Sequence, residues 1–318
     1  MKTVVFLNTY EYCEFMCYDI ASCENVSLIK PVRLKNIGWI GVLMFLLKRI
    51  SFRLYNVMLE RVMLSKLRLS KDEKICFISF DSSYQTANKT FVYRLRKKYP
   101  NSYHVLIVYN AINGQHACAD KYSSIFDTVF TFDPYDAALY NWNYFHGLLP
   151  ESQPNDENDS KHYDVVFIGA DKGRYDFLKN AYILLREKEM NCLFYIISDK
   201  EPVDDIDKIL LHKNGMPFQE TIDIEKKTRC ILDYSIVNDG MQGLSLRILE
   251  SVYCKALLAT NNKYVEHIPG LYKNAFVFSD CSELNDIRTF LDTQFTDFDT
   301  AIFSANDLLH RVHLLADK

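Results

Sequence analysis

Two stretches hold side chains whose types and spacing suit chemistry on an anion: FIGADKGR, Phe167 to Arg174, and MQGLSLRILE, Met241 to Glu250. In the first, an apolar run stops at Gly169, where a missing side chain lets a ligand approach the backbone. Asp171, Lys172 and Arg174 follow at the start of the next helix. Two cations beside free amides at a helix start suit a diphosphate; a solvated helix cap is the alternative reading of the same spacing. In the second, Gly240 and Gly243 allow a tight turn, and the amides of Leu244 and Ser245 open a helix whose dipole favours another negative group. Arg247 and Glu250 share a face of that helix at i and i+3. A carboxylate there can accept both hydroxyls of a ribose, whereas a surface Arg247–Glu250 pair would contribute only a few tenths of a kcal/mol. Neither stretch matches G-x-G-x-x-G or G-x-x-x-x-G-K-[ST], which disfavours dinucleotide and P-loop sites.

The elements that must position these residues read as α/β. Met1 to Leu7, Lys74 to Phe80, Tyr103 to Asn110 and Asp127 to Asp133 are short apolar runs ending at polar turns, as buried parallel strands do. Phe91, Leu95 and Tyr99 mark a helix closed by Pro100, and PYDAALYNWNYF is a proline-led helix. Gly147 to Tyr163, rich in Pro, Ser, Asn and acids, reads as a linker between domains 1–150 and 163–318. Beyond it DVVFIGA, NCLFYIIS, CILDYSIV, ALLATNN and NAFVFSD are strands, and the end reads as two or more amphipathic helices, able to pack back on the first domain. Two Rossmann-like domains facing across a cleft follow, with function in the strand-exit loops.

Composition narrows the classes. The 318 residues are 48% hydrophobic and 25% charged, which fits two ordinary cores. A formal net charge of -4 excludes a global attraction to nucleic acid, so any anion site is local. Nine cysteines, odd in number and scattered, do not form a secreted disulfide framework and point to a reducing cytoplasm. The start of the chain lacks the apolar centre of a signal peptide. The most apolar window, Ile37 to Leu47, falls short of the ~20 residues a bilayer span needs.

The second half resembles the donor domain of GT-B glycosyltransferases, in particular bacterial enzymes of capsule and lipopolysaccharide synthesis, through the IG-x-DKGR turn, the Q-x-GLSLR-x-LE helix and the apolar strand ending in TNN. The first half resembles them only in its βαβ architecture and its FDP-x-D segment. In related enzymes two acidic residues eight positions apart contact the donor sugar and the ribose. Those positions here are Gln242 and Glu250, so the resemblance carries over the ribose contact and turns the sugar contact into an amide. It further implies that Lys172 and Arg174 neutralise the leaving nucleoside diphosphate, as negative charge developing there demands. No metal or other cofactor is then needed, and the chain contains no H-E-x-x-H or CxxC.

For an acceptor hydroxyl, Asp81 at the exit of ICFISF is the candidate general base of an inverting reaction, with His116 as second candidate; a helix N-cap and an exposed loop histidine are the respective alternatives. Residues 31–70 interleave apolar residues with eight Lys or Arg and one acid, Glu60. Such a segment can lie on an anionic bilayer, suiting a lipid-linked acceptor, or form helices packed on the first sheet. The combined expectation is a cytoplasmic, metal-independent glycosyltransferase, peripheral on the inner membrane face. It would transfer sugar from a nucleotide-sugar to a glycan or lipid-linked glycan in surface polysaccharide synthesis. A nucleotide-sugar epimerase or phosphorylase-like enzyme, and a non-catalytic nucleotide- or sugar-binding partner of a synthesis complex, are the alternatives.

Overall fold

The computed structural model describes residues 1–7, 11–30, 46, 49–81, 88–112, 115–150, 161–236 and 243–317. The chain divides into two compact units, Met1–Pro150 with Phe303–Lys318, and Glu151–Ile302. Each is built on one six-stranded sheet in which every pairing is parallel.

The first sheet contains β1 (Lys2–Phe6), β2 (Val26–Ile29), β3 (Ile75–Phe80), β4 (Ser102–Val108), β5 (Thr128–Thr131) and β6 (Asn143–Tyr144), ordered β2-β1-β3-β4-β5-β6. Its central strands read as unbroken apolar runs because both faces are covered: all six residues of β3 are buried. On one face Phe6 stacks on Phe77 at 5.8 Å and meets Phe91 edge-on at 5.3 Å. Phe91 belongs to the Lys89–Lys98 helix, which starts where Asn88 accepts from the Phe91 amide at 2.9 Å and places Arg96, Lys97 and Lys98 in its last turn, where the dipole favours cations. Burying one such phenylalanine or leucine side chain contributes about 1.5–3 kcal/mol.

The basic segment is described only in part. Its Phe52–Ser65 helix buries Met63 and, through Glu60, pairs with Arg94 at 3.1 Å, so this part packs on the first sheet. The chain returns to this unit at its end. Leu149 N donates to Phe303 O at 3.0 Å, and Thr3 Oγ1 meets Nε2 of His313, on the Ala305–Ala316 helix, at 2.9 Å.

The second sheet contains β7 (Tyr163–Ala170), β8 (Cys192–Ile197), β9 (Leu211–His212), β10 (Thr228–Asp233), β11 (Leu257–Thr260) and β12 (Ala275–Val277), ordered β12-β11-β10-β7-β8-β9. Numbered within the unit this is the doubly wound order, reversing between β7 and β10. Its core joins Phe167 of β7 and Leu232 of β10 to Leu178 and Leu185 of the Tyr175–Glu187 helix. No helix among the described residues is long and apolar enough to cross a membrane.

Candidate functional site

Open parallel sheets bind ligands outside the carboxyl ends of their strands, at the point where strand order reverses. In the second unit that point lies between the ends of β7 and β10, and Arg174 spans it. Its Nε and Nη2 donate to the Ala170 carbonyl at 3.1 and 2.9 Å, and its Nη1 donates to the Tyr234 carbonyl at 2.6 Å. The side chain is 8% exposed, and its guanidinium carbon sits 4.9 Å from the Phe167 ring centroid. Arg247 reaches the same ring from the Leu246–Tyr253 helix, 5.0 Å from the centroid.

Gly169 has a definite part in this arrangement. A Cβ there would lie 2.7 Å from Arg247 Nη1 and 3.5 Å from Arg174 Nη2, so the bare backbone is what lets two guanidiniums converge. The space expected to admit a ligand is thus taken, beside the backbone, by Arg247. Lys172 adds a third cation. It is exposed, with φ at +46°, a conformation non-glycine residues rarely adopt, and Gly173 follows at +87°. Although the residue as a whole is exposed, partial desolvation, and then the charges of Arg174 and Arg247, hold the Lys172 ammonium below its ordinary pKa. Burial, then Arg247, likewise brings Arg174 down to about 9 against the pull of Asp233 and Asp171. Three like charges crowded at one strand edge call for an anion.

Asp171 serves the scaffold. Its Oδ1 accepts from the Gly173 and Tyr175 amides at 3.1 and 2.9 Å, and its Oδ2 from Ser198 Oγ at 3.2 Å and Lys200 Nζ at 3.1 Å. Burial works against its charge, yet these donors keep its carboxyl below the usual range. The helix amides read as free for a ligand are therefore partly satisfied already, because an aspartate just before the helix accepts from them. Phe177, two residues into this helix, stacks on Tyr234 with centroids 3.6 Å apart, fixing the helix start against the end of β10.

Asp233, which pattern reading passed over, organises the second stretch. It is 1% exposed at the end of β10; its Oδ1 accepts from Ser245 Oγ at 2.9 Å and Arg247 Nε at 3.2 Å, and its Oδ2 from Thr260 Oγ1 at 2.9 Å. Ser245 also caps its helix by accepting from Ile248 N at 3.3 Å. The TNN triplet closes the assembly: Asn261 exchanges two hydrogen bonds with the Ser235 backbone, and Asn262 Nδ2 donates to the Gly243 carbonyl at 3.1 Å. Leu244 is buried at 3% exposure. Gln242 and the rest of residues 237–242 lie outside the described residues. Arg247 pairs with Asp233, so the alternative of a surface Arg247–Glu250 pair does not describe this helix.

Glu250 is 4% exposed. Burial raises its carboxyl to about 7, opposed by Arg247 and reinforced by Asp233. Beside it is Glu225, on the Phe218–Lys226 helix, which is fully buried and which the linear pattern did not mark.

In the first unit, Asp81 follows β3. Its Oδ1 accepts from Tyr109 N at 3.2 Å and its Oδ2 from Asn110 Nδ2 at 3.3 Å, so the carboxylate joins the exits of β3 and β4. His116 is exposed at the start of the His116–Ile125 helix, edge-on to Tyr140 at 5.7 Å. Among the described residues no group of three or more His, Cys, Asp or Glu is placed to hold a metal ion.

No family model matches this sequence, and no curated protein does. Among solved structures the fold is similar to Staphylococcus aureus MnaA determined with UDP, at TM-score 0.50 and 11% identity, covering 95% of this chain and 90% of that one. A UDP-forming trehalose-phosphate synthase from Burkholderia xenovorans matches at TM-score 0.49 and 11% identity over 100% and 97% of the chains, and Acinetobacter baumannii MurG at 0.45 and 11% over the whole of both. The two-domain α/β fold, Rossmann-like in each half, is the GT-B fold class expected of the sequence.

Proposed function

We propose that this protein is a glycosyltransferase that takes its sugar from a nucleoside diphosphate sugar. The observation that carries this reading is the convergence of Arg174, Arg247 and Lys172 at the reversal point of the second sheet, with a buried glutamate, Glu250, on the Arg247 helix. A diphosphate satisfies three crowded cations, and preorganised cations at a departing diphosphate stabilise the charge that develops there, with no metal called upon. Glu250 takes the ribose hydroxyls. The likeness to a protein solved with UDP makes a uridine nucleotide the first ligand to test.

Gly169, Asp171, Gly243, Leu244 and Ser245 act behind this surface, as spacer, helix anchor and helix start, and the sequence resemblance assigns the sugar contact to Gln242. The first unit takes the acceptor, a glycan or lipid-linked glycan of surface polysaccharide synthesis, with Asp81 as general base and His116 as the second choice. Exposed Ile50 and Leu54 among exposed Arg49, Arg61, Lys66 and Arg68 support contact with an anionic membrane face.

The reading is tested by thermal shift against UDP, GDP, dTDP and CMP, followed by assays with sugar nucleotides of the base that binds. A ligand at 100 times its Kd raises stability by about 2.7 kcal/mol. Binding with release of the nucleoside diphosphate supports the transferase. An isomerised sugar nucleotide would replace it with an epimerase, and binding without turnover with a non-catalytic partner. Absence of any nucleotide shift would remove the reading.

A further inference from the structure

Glu225 is fully buried, and neither of its carboxyl oxygens has a hydrogen-bond partner. An ionised carboxylate in that position would be untenable, because burial without donors costs several kcal/mol. Its surroundings are set by two packed helices. Ile222 and Glu225 lie three residues apart on the Phe218–Lys226 helix, and Glu250 and Cys254 lie four apart at the Leu246–Tyr253 helix and its cap. Cys254 Sγ approaches the Ile222 carbonyl at 4.0 Å, so these two faces meet and bring Glu225 to Glu250.

The charged groups around the pair come from every side. Arg247 on the Glu250 helix opposes proton uptake by both acids, and Asp233 from β10 promotes it at Glu250. Burial, then Glu225 and Glu250, keeps the Cys254 thiol neutral, with Lys226 and Lys161 pulling the other way. Burial, then the neighbouring Glu250, drives the Glu225 carboxyl well above the ordinary range. Glu225, fully buried with no donor to either oxygen, is therefore the member of the pair that holds a proton.

We propose that Glu225 is the positioning residue of the nucleotide site, a neutral acid beside Glu250 that leaves the one negative charge of the pair on Glu250, turned toward the ribose hydroxyls of the ligand. This rests on the reading of Glu250 as the ribose acceptor and adds a proton requirement to it. With one proton the pair offers the ribose a charged acceptor. With two protons that acceptor is gone, and with none two charges are buried side by side, so ribose recognition peaks between the two titrations of the pair.

The test compares Kd for UDP and for 2′,3′-dideoxy-UDP by calorimetry from about pH 5 to 9; their ratio cancels phosphate titration and isolates the ribose hydroxyls. The wild type should show a peak in this ratio, falling about fivefold or more on each side. Glu225→Gln, whose amide donates without a proton to lose, should abolish the alkaline fall and keep the acid one. A flat wild-type ratio, or an unchanged profile in Glu225→Gln, overturns the proposal. Infrared spectroscopy of the ligand-free protein near pH 7 gives an arm that does not need binding. A buried carboxylic acid carbonyl band, lost in Glu225→Gln, supports the neutral Glu225 even if no nucleotide binds and the functional reading fails. Its absence from the wild type overturns the neutral Glu225 even if UDP binds.

Discussion

Asp233 Oδ1 accepts from Arg247 Nε at 3.2 Å, and this contact ties the end of one buried strand to the helix that enters the site. The same carboxylate holds Ser245 and Thr260, so three elements meet on one 1%-exposed side chain. Replacing one member of a buried charged pair leaves the other uncompensated, at a cost of about 3–5 kcal/mol. Asp233→Ala should therefore lower the unfolding free energy by that amount. A loss under about 1 kcal/mol in urea titration would mean that Arg247 finds another partner.

Gly169→Ala separates the site from the fold. The new methyl carbon meets Arg247 Nη1, the free end of a flexible side chain, at 2.7 Å. The guanidinium should move aside with little change in stability, while affinity for UDP falls about tenfold, equivalent to about 1.4 kcal/mol. Unchanged calorimetric affinity would place the phosphates away from Arg247.

Lys172 and Glu250 should divide the ligand between them. Lys172→Ala is expected to weaken UDP about tenfold or more and uridine hardly at all, since only UDP has phosphates for the ammonium to face. Glu250→Ala should weaken both alike. Equal losses of both ligands in both variants would contradict the division.

His104 gives the first unit a pH dependence of known sign. It stacks on Phe77 at 5.3 Å, and burial, then Arg96, pulls it down to about 3 from its ordinary 6.5, with Asp127 opposing. The unfolded chain then binds one more proton between those values, so stability is lost as pH falls below about 6.5. The slope is about 1.4 kcal/mol per pH unit. Denaturant titrations at pH 5 and 6 should show a slope shallower by about this much in His104→Phe. An unchanged slope would show that His104 titrates normally.

The strands with unbroken apolar runs were legible in the sequence: ICFISF, DVVFIGA and CILDYSIV became β3, β7 and β10 because central strands are covered on both faces. The edge strands β2, β6 and β9 were not. They have two to four half-buried residues each, too few to establish a period. At the candidate site, Lys172, Arg174 and Arg247 were visible as charges after glycine turns, and the structure brings them together. Asp233 and Glu225 were hidden because what defines each is a partner distant in sequence. Ser245, Arg247 and Thr260 define the first, and Glu250 the second. Asp171 was read as facing a ligand, yet its acceptors are filled by local amides, which the order of residues alone does not reveal.

The return of Phe303–Lys318 to the first unit makes the second unit an insertion within it. During synthesis Glu151–Ile302 can finish folding while the first unit still lacks the hydrogen bonds from Phe303 and His313 to Leu149 and Thr3. A ribosome-bound chain ending at Ile302, followed by an unstructured linker long enough to clear the exit tunnel, should then resist protease in its later half and remain vulnerable in its earlier one, the reverse of the order in which the two emerge.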